Sequence, residues 1–367
     1  PFAPSEGSVG YLGVEAHLVM AYMGEGKIFQ DGKAVPALPV LKENGLEPLV
    51  LSYKEGLSML NGTITVTALG LLALYESITA LKNAELAGAM CYEALRGTTK
   101  ALDPRIHANK HHEEQGSSAD NLRRMLAGSN ICENHVNDKV QDAYVMRCMP
   151  HIHGAAKKLV KEAYEVIVDE MHSVSDNPEI FAEGENDGVA LMSGNFDGSF
   201  VGAHADMISM ACAIIGKVVE RGTDRMVNRN LNDGLPAFLV SNPGLNSGFM
   251  IPQYLAIPAT IDSIPTCAGQ EDPVSMAYYA SKKTQACVRK LQYVTAIEIY
   301  TALQATDFLK PETPSPAIAK VRDFLRQTIP FVDNDRFLYP DIEYIFDRVR
   351  DCTLTDLVEE EIGELAF

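Results

Sequence analysis

Val274–Lys310, VSMAYYASKKTQACVRKLQYVTAIEIYTALQATDFLK, contains neither glycine nor proline. Uninterrupted helical spacing over this stretch predicts one helix, about 55 Å long at 1.5 Å per residue. Such a helix buries its apolar face only against partners of similar length, and the sequence supplies them. Lys54–Asp103 has no proline and sets Val66, Leu69, Ala73 and Leu81 at helical intervals; further long helices are expected over about 155–172 and 199–227. The apolar faces are mixed and lack the sustained heptads of a coiled coil. The expected fold is all-α, a bundle of long helices. Weak amphipathicity over such lengths also points to other subunits covering part of the surface.

Outside the bundle the signals are more local. A short helix is expected over Gly13–Tyr22, ended by Gly24 and Gly26. Lys27–Lys33 and Pro48–Ser52 read as strand or turn pieces, with Asp31-Gly32 as a hairpin turn. Pro311–Phe367 reads as two or three shorter helices with a solvated acidic end at Glu359–Glu361. The expected organisation is therefore 1–60 as the end of an N-terminal active-site region, 61–310 as the central bundle and 311–367 as C-terminal helices. The chain opens at Pro1, inside a motif, and is read as part of a longer protein whose N-terminal domain is not included.

A net charge of −18 over 367 residues argues against nucleic acid, whose phosphates reward clustered Lys and Arg. The one dense basic cluster, Lys110-His-His112, is offset by Glu113 and Glu114. No apolar run is expected to span a bilayer and no leader is seen. Seven cysteines without paired spacing read as reduced, mostly buried thiols of a cytoplasmic protein.

Chemistry is expected in the loops, which are dense in Gly, Pro, Asn and Asp: Asp176-Asn-Pro178, Ser193–Gly198, Asn242–Met250 and Thr266–Asp272. Gly7-Ser-Val-Gly10 is a tight loop built for close backbone approach. Asn61, in Leu60-Asn-Gly-Thr63, is either a helix cap or a functional carboxamide. Tyr144 and Arg147 would be neighbours on one helical turn, and arginine offers a planar fork for a carboxylate. An ion pair with Asp142 is the alternative. Glu271 is a solvated loop carboxylate or a hydrogen-bond acceptor for substrate. His151 and His153 alternate like metal ligands but lack partners at zinc spacing, so they read as structural.

Gly7-Ser-Val-Gly10, Glu15-Ala-His17, Gly24-Glu-Gly26, Leu60-Asn-Gly-Thr63, Gln141–Arg147, Gly194-Asn-Phe196 and Gln270-Glu-Asp272 occur in the order of the motifs they resemble. Those are the motifs of the aromatic amino acid ammonia-lyases, the family of histidine and phenylalanine ammonia-lyase. The resemblance runs from Pro4 to about Pro340. It implies the long-helix bundle shared with fumarase-type lyases, a homotetramer whose sites join loops from several subunits, and no external cofactor or metal.

In that family the first loop continues Ala-Ser-Gly-Asp, and Ala-Ser-Gly cyclises into a methylidene-imidazolone electrophile. Here Gly10 is followed directly by Tyr11, which also replaces the aspartate. A cyclised group is not a standard residue and is skipped in a sequence of standard letters; a true deletion would instead abolish the electrophile. The family also has a further helical stretch after the equivalent of Gln253-Tyr254, and its N-terminal region supplies the tyrosine base for the β-proton.

By resemblance, Asn61 hydrogen-bonds the electrophile's carbonyl, Phe196 shields it from water and Asn195 belongs to the substrate-binding residues. Tyr144 transfers a proton or positions the amine, Arg147 binds the substrate carboxylate and Gln141 lies close by. Asp197 stands where family members often have His or Gln. Glu271 matches the histidine enzymes, whereas the phenylalanine enzymes generally carry Gln there. The expected reaction is elimination of ammonia from L-histidine to give urocanate. Phenylalanine or tyrosine as substrate, a 2,3-aminomutase, and a non-catalytic paralogue acting in binding or assembly remain the alternatives.

Overall fold

The computed structural model describes residues 1–5, 12–183, 187–249 and 277–367. Helix α1 spans Leu12–Tyr22. The chain returns as an antiparallel hairpin, β1 (Lys27–Gln30) against β2 (Lys33–Pro36), with Gln30 opposite Lys33. Asp31 and Gly32 close it, both at positive φ, as a two-residue turn matched to strand twist demands. Pro48–Ser52, expected as a strand or turn piece, forms neither strand nor turn.

Two short helices, α2 (Ala37–Glu43) and α3 (Glu55–Ser58), lead into α4 (Ile64–Ala94). Then come α5 (Pro104–Ala108), α6 (Glu113–Leu126), α7 (Asn130–His135), α8 (Tyr144–Arg147) and α9 (Met149–Met171). A second antiparallel hairpin, β3 (Glu179–Glu183) with β4 (Asp187–Leu191), has no counterpart in the sequence-based expectation. The remaining elements are α10 (Ser199–Val227), α11 (Ala277–Asp307), α12 (Pro316–Arg326), α13 (Tyr339–Arg350) and α14 (Thr353–Ile362). The long helices expected from sequence are α4, α9, α10 and α11, and the C-terminal tail forms the three short ones.

Two compact units divide the chain. The first takes Pro1–Leu74, Glu162–Met207 and Thr260–Gln285. Within it α11 is tied to α10 by the Thr284 hydroxyl donating to the Ala205 carbonyl at 2.7 Å, and to α4 by Gln285 donating to the Leu69 carbonyl at 3.4 Å. The second unit takes Tyr75–Lys161, Ile208–Ala259 and Ala286–Phe367. Its core interleaves Leu86 and Met90 of α4, Leu122 of α6, Val218 of α10, Leu303 of α11 and Phe346 of α13. Helix α12 opens with Pro316 behind Ser315, whose hydroxyl accepts the Ile318 N–H at 3.3 Å, a cap readable from the sequence.

One expectation is corrected here. Helices α4 and α10 are long and apolar enough to cross a membrane by length and composition, although no such run was expected. Within each apolar window 50% and 44% of the residues are buried inside the protein. The six described cysteines are free. Burial pushes the Cys132 thiol up to about 12 and raises those of Cys91 and Cys212, which keeps them protonated. Cys267 lies outside the described residues.

Candidate active site

Asn61 lies in the first unit, three residues before α4 begins. It does not cap that helix. The Thr65 N–H is taken instead by the buried Glu15 carboxylate at 3.1 Å, and the Thr63 hydroxyl donates to Glu170. Asn61 turns its own side chain the other way: Nδ2 donates to Asp176 Oδ1 at 3.1 Å and to Asn177 Oδ1. Gly62 makes this close approach possible, since its φ is +111° and a Cβ there would stand 2.1 Å from the Ser175 carbonyl oxygen.

Asp176 is the hub of the turn. Oδ1 also accepts the Asn177 backbone N–H at 2.7 Å, and Oδ2 pairs with the Lys54 ammonium. Burial alone would raise the Asp176 carboxyl, but hydrogen bonds from Lys54, the Asn177 N–H and Asn61 outweigh it and hold the group below its ordinary range. On the far side of the same turn, Glu179 accepts from Asn195 Nδ2 at 2.7 Å and from the Ser193 hydroxyl at 3.1 Å. The structure thus brings Asn61 and the Asn195-Phe196 loop to one turn, 176–179. Phe196 is half-buried and Asn195 exposed. Lys54, Asp176 and Glu179 were not singled out from sequence; the only signal was the Asp-Asn-Pro turn itself.

The second unit holds Gln141, Tyr144 and Arg147. The segment is fixed from the end of α4. The Tyr92 hydroxyl donates to the Met146 carbonyl at 2.8 Å, and buried Asp142 accepts the Thr98 N–H at 2.7 Å. Gly97 lets these pieces meet, because a Cβ there would lie 2.6 Å from both Met146 Cε and Tyr92 Cδ1. Asp142 is therefore occupied by backbone and by Lys139 at 3.7 Å, and the expected alternative of an Arg147–Asp142 ion pair does not form. The Arg147 guanidinium lies 5.6 Å from the centroid of the Tyr144 ring, and its buried Nε has no hydrogen-bond partner among the described residues. Tyr144 is 68% exposed and Gln141 is also exposed. This is a cation over an aromatic face with unused donors, an arrangement suited to a carboxylate.

Gly10, Tyr11 and Glu271 lie outside the described residues. His153 is buried with neither ring nitrogen hydrogen-bonded among the described residues, and burial holds its imidazole down at about 4. Among the described residues no three His, Cys, Asp or Glu side chains are grouped to hold a metal.

The sequence profile of the aromatic amino acid lyases matches residues 1–327. The chain belongs to the aromatic amino acid lyase family. This lyase is 39% identical to the histidine ammonia-lyase of Sorangium cellulosum, the match taking in 100% of this chain and 74% of that protein. It is 37% identical to that of Treponema denticola, over 98% of this chain and 73% of the relative. In three dimensions it resembles the histidine ammonia-lyase of Trypanosoma cruzi, with a TM-score of 0.90 and 34% identity over 99% of this chain and 71% of that one. It also resembles the tyrosine aminomutase of Streptomyces globisporus, at 0.92 and 29% over 100% and 75%. The lyase has the all-α fold of these neighbours. The Sorangium match extends over 382 positions against the 367 residues here, so that relative carries residues with no counterpart in this chain.

Proposed function

We propose that this lyase eliminates ammonia from L-histidine to give urocanate, using a methylidene-imidazolone formed from Ala-Ser-Gly between Gly10 and Tyr11. The observation that carries the reading is the unspent Arg147 guanidinium over Tyr144, in a chain 37–39% identical along its length to histidine ammonia-lyases. The residues present suit such a group: a carboxamide, Asn61, is held almost out of solvent with its donor end fixed. When formed, the group supplies the electrophile that makes the substrate's poor leaving group and weakly acidic β-hydrogen tractable.

The chain's own side chains bind and orient the substrate, and none of those placed here is the base that takes the β-proton. Arg147 takes the substrate carboxylate in a two-pronged grip, with Gln141 beside it, so the amino acid enters in one orientation. Tyr144 is placed by the same helical turn to position the amine or move its proton. Phe196, half-buried beside Asn195, excludes water from the electrophile. Glu271 accepts a hydrogen bond from the imidazole and favours histidine over phenylalanine or tyrosine.

We read the assembly as a homotetramer, for which the exposed apolar residues Ile64, Leu72 and Tyr75 of α4 and Phe200 and Met210 of α10 provide surface. An acidic, reduced-thiol chain suits a cytoplasmic location without nucleic acid or membrane as partner. Incubation with L-histidine tests the reading. Urocanate and ammonia in equal amounts support it; cinnamate or coumarate from phenylalanine or tyrosine, or a β-amino acid, would redirect it to the rival enzymes. No turnover of any of these would favour a binding or assembly protein.

A further inference from the structure

Asn61 has two amide protons and both are directed at one turn. One goes to the Asp176 carboxylate at 3.1 Å, the other to the Asn177 side-chain carbonyl. The two acceptors are not equivalent. A carboxylate can only accept, so Asp176 fixes which end of the Asn61 carboxamide is nitrogen. The Asn177 carboxamide can rotate and give way. Asp176 is itself held from two other directions, by the Lys54 ammonium on Oδ2 and by the Asn177 N–H on Oδ1 at 2.7 Å. Asn61 is buried while Lys54 and Asp176 are only half-buried, so the charged pair sits outside the carboxamide it orients.

We infer that Asp176, anchored by Lys54, is a positioning residue that locks Asn61 as a hydrogen-bond donor, leaving the proton now pointed at Asn177 free to be redirected to the reacting group. This rests on the lyase reading, because it gives Asn61 a task that needs its nitrogen. Asp176 never touches substrate; it acts through Asn61.

The test is a double-mutant cycle on the full chain, with urocanate formation, thermal unfolding and crystal structures as readouts. Asp176→Ala is expected to lower kcat about tenfold or more with KM for histidine within about twofold, and Asp176→Ala/Asn61→Ala to be no slower than Asn61→Ala alone. Asp176→Asn, which keeps an acceptor of the same shape, should recover part of the loss and provides a folded comparison should the alanine variant fail to fold. In the Asp176→Ala structure the Asn61 carboxamide should be turned or split between orientations. Fold-changes that multiply in the double variant, or an Asn61 carboxamide unmoved without Asp176, would overturn the assignment. If the unsubstituted protein yields no urocanate, the lyase reading fails, and the crystallographic comparison still decides whether Asp176 orients Asn61.

Discussion

The Arg147 guanidinium stacks over the Tyr144 ring at 5.6 Å while its Nε, buried, makes no hydrogen bond among the described residues. A lysine at 147 would keep the charge and lose the fork. Arg147→Lys is therefore expected to lower kcat/KM for histidine by about 10- to 100-fold, the worth of one charged hydrogen bond. Steady-state kinetics checks this, and a change under threefold would show that charge alone suffices.

Gly62→Ala should damage stability and turnover together. The added Cβ would meet the Ser175 carbonyl at 2.1 Å and the residue would have to hold φ near +111°. A loss of about 1–3 kcal/mol is expected by thermal unfolding. Because Ser175 precedes Asp176, kcat should fall as well; a stable variant with unchanged kcat would separate Asn61 from the 175–177 turn.

Deep in the second unit, Lys157 Nζ lies 2.7 Å from Glu85 Oε1 with neither side chain reaching solvent. Asn121 Nδ2 donates to the other carboxylate oxygen at 2.7 Å, and Lys157 donates to the Ala366 carbonyl at 2.8 Å. Glu85→Ala should cost about 3–5 kcal/mol, since it strands a buried ammonium, whereas Lys157→Met with Glu85→Leu should cost far less. Denaturant unfolding of the three proteins measures this, and equal losses in single and double variants would contradict it.

Acid sensitivity should trace partly to His153. Its folded-state imidazole, held down at about 4 by burial, stays neutral while the unfolded chain binds a proton below its ordinary value of 6.5. The contribution is fully present above that value and is lost as pH falls from about 6.5 towards 4, roughly 3 kcal/mol in all. His153→Phe should flatten the stability profile over that window. A variant as acid-sensitive as the unsubstituted protein would exclude His153 as the cause. Glu93, raised to about 7 by burial, acts with the opposite sign: the folded state keeps a proton the unfolded chain has lost, so stability falls as pH rises from about 4.5 to 7.

The long helices were legible because proline-free stretches with apolar residues at helical spacing mark them; α11 and α4 are the clearest cases. The β3–β4 hairpin was not, because its Asp-Gly pair, Asp187-Gly188, stands inside β4 opposite Glu183 and Ala182 and not at a two-residue turn like Asp31-Gly32. Arg147 and Tyr144 could be paired from their three-residue spacing alone. That Asn61 serves a turn more than a hundred residues away, instead of capping the helix it precedes, could not be read locally, since Glu15 takes the capping role from a distant segment. Apolar length was underread: α4 and α10 reach the length and composition of a membrane span, which the sequence reading did not expect.

The central claim is that a self-formed electrophile stands between Gly10 and Tyr11. The most direct test is the intact mass together with the mass of the peptide spanning these two residues. The account predicts an excess over the directly joined sequence equal to Ala-Ser-Gly less two waters. A peptide whose mass equals Gly10 bonded straight to Tyr11 would contradict it, and with it the ammonia-lyase chemistry proposed for this chain.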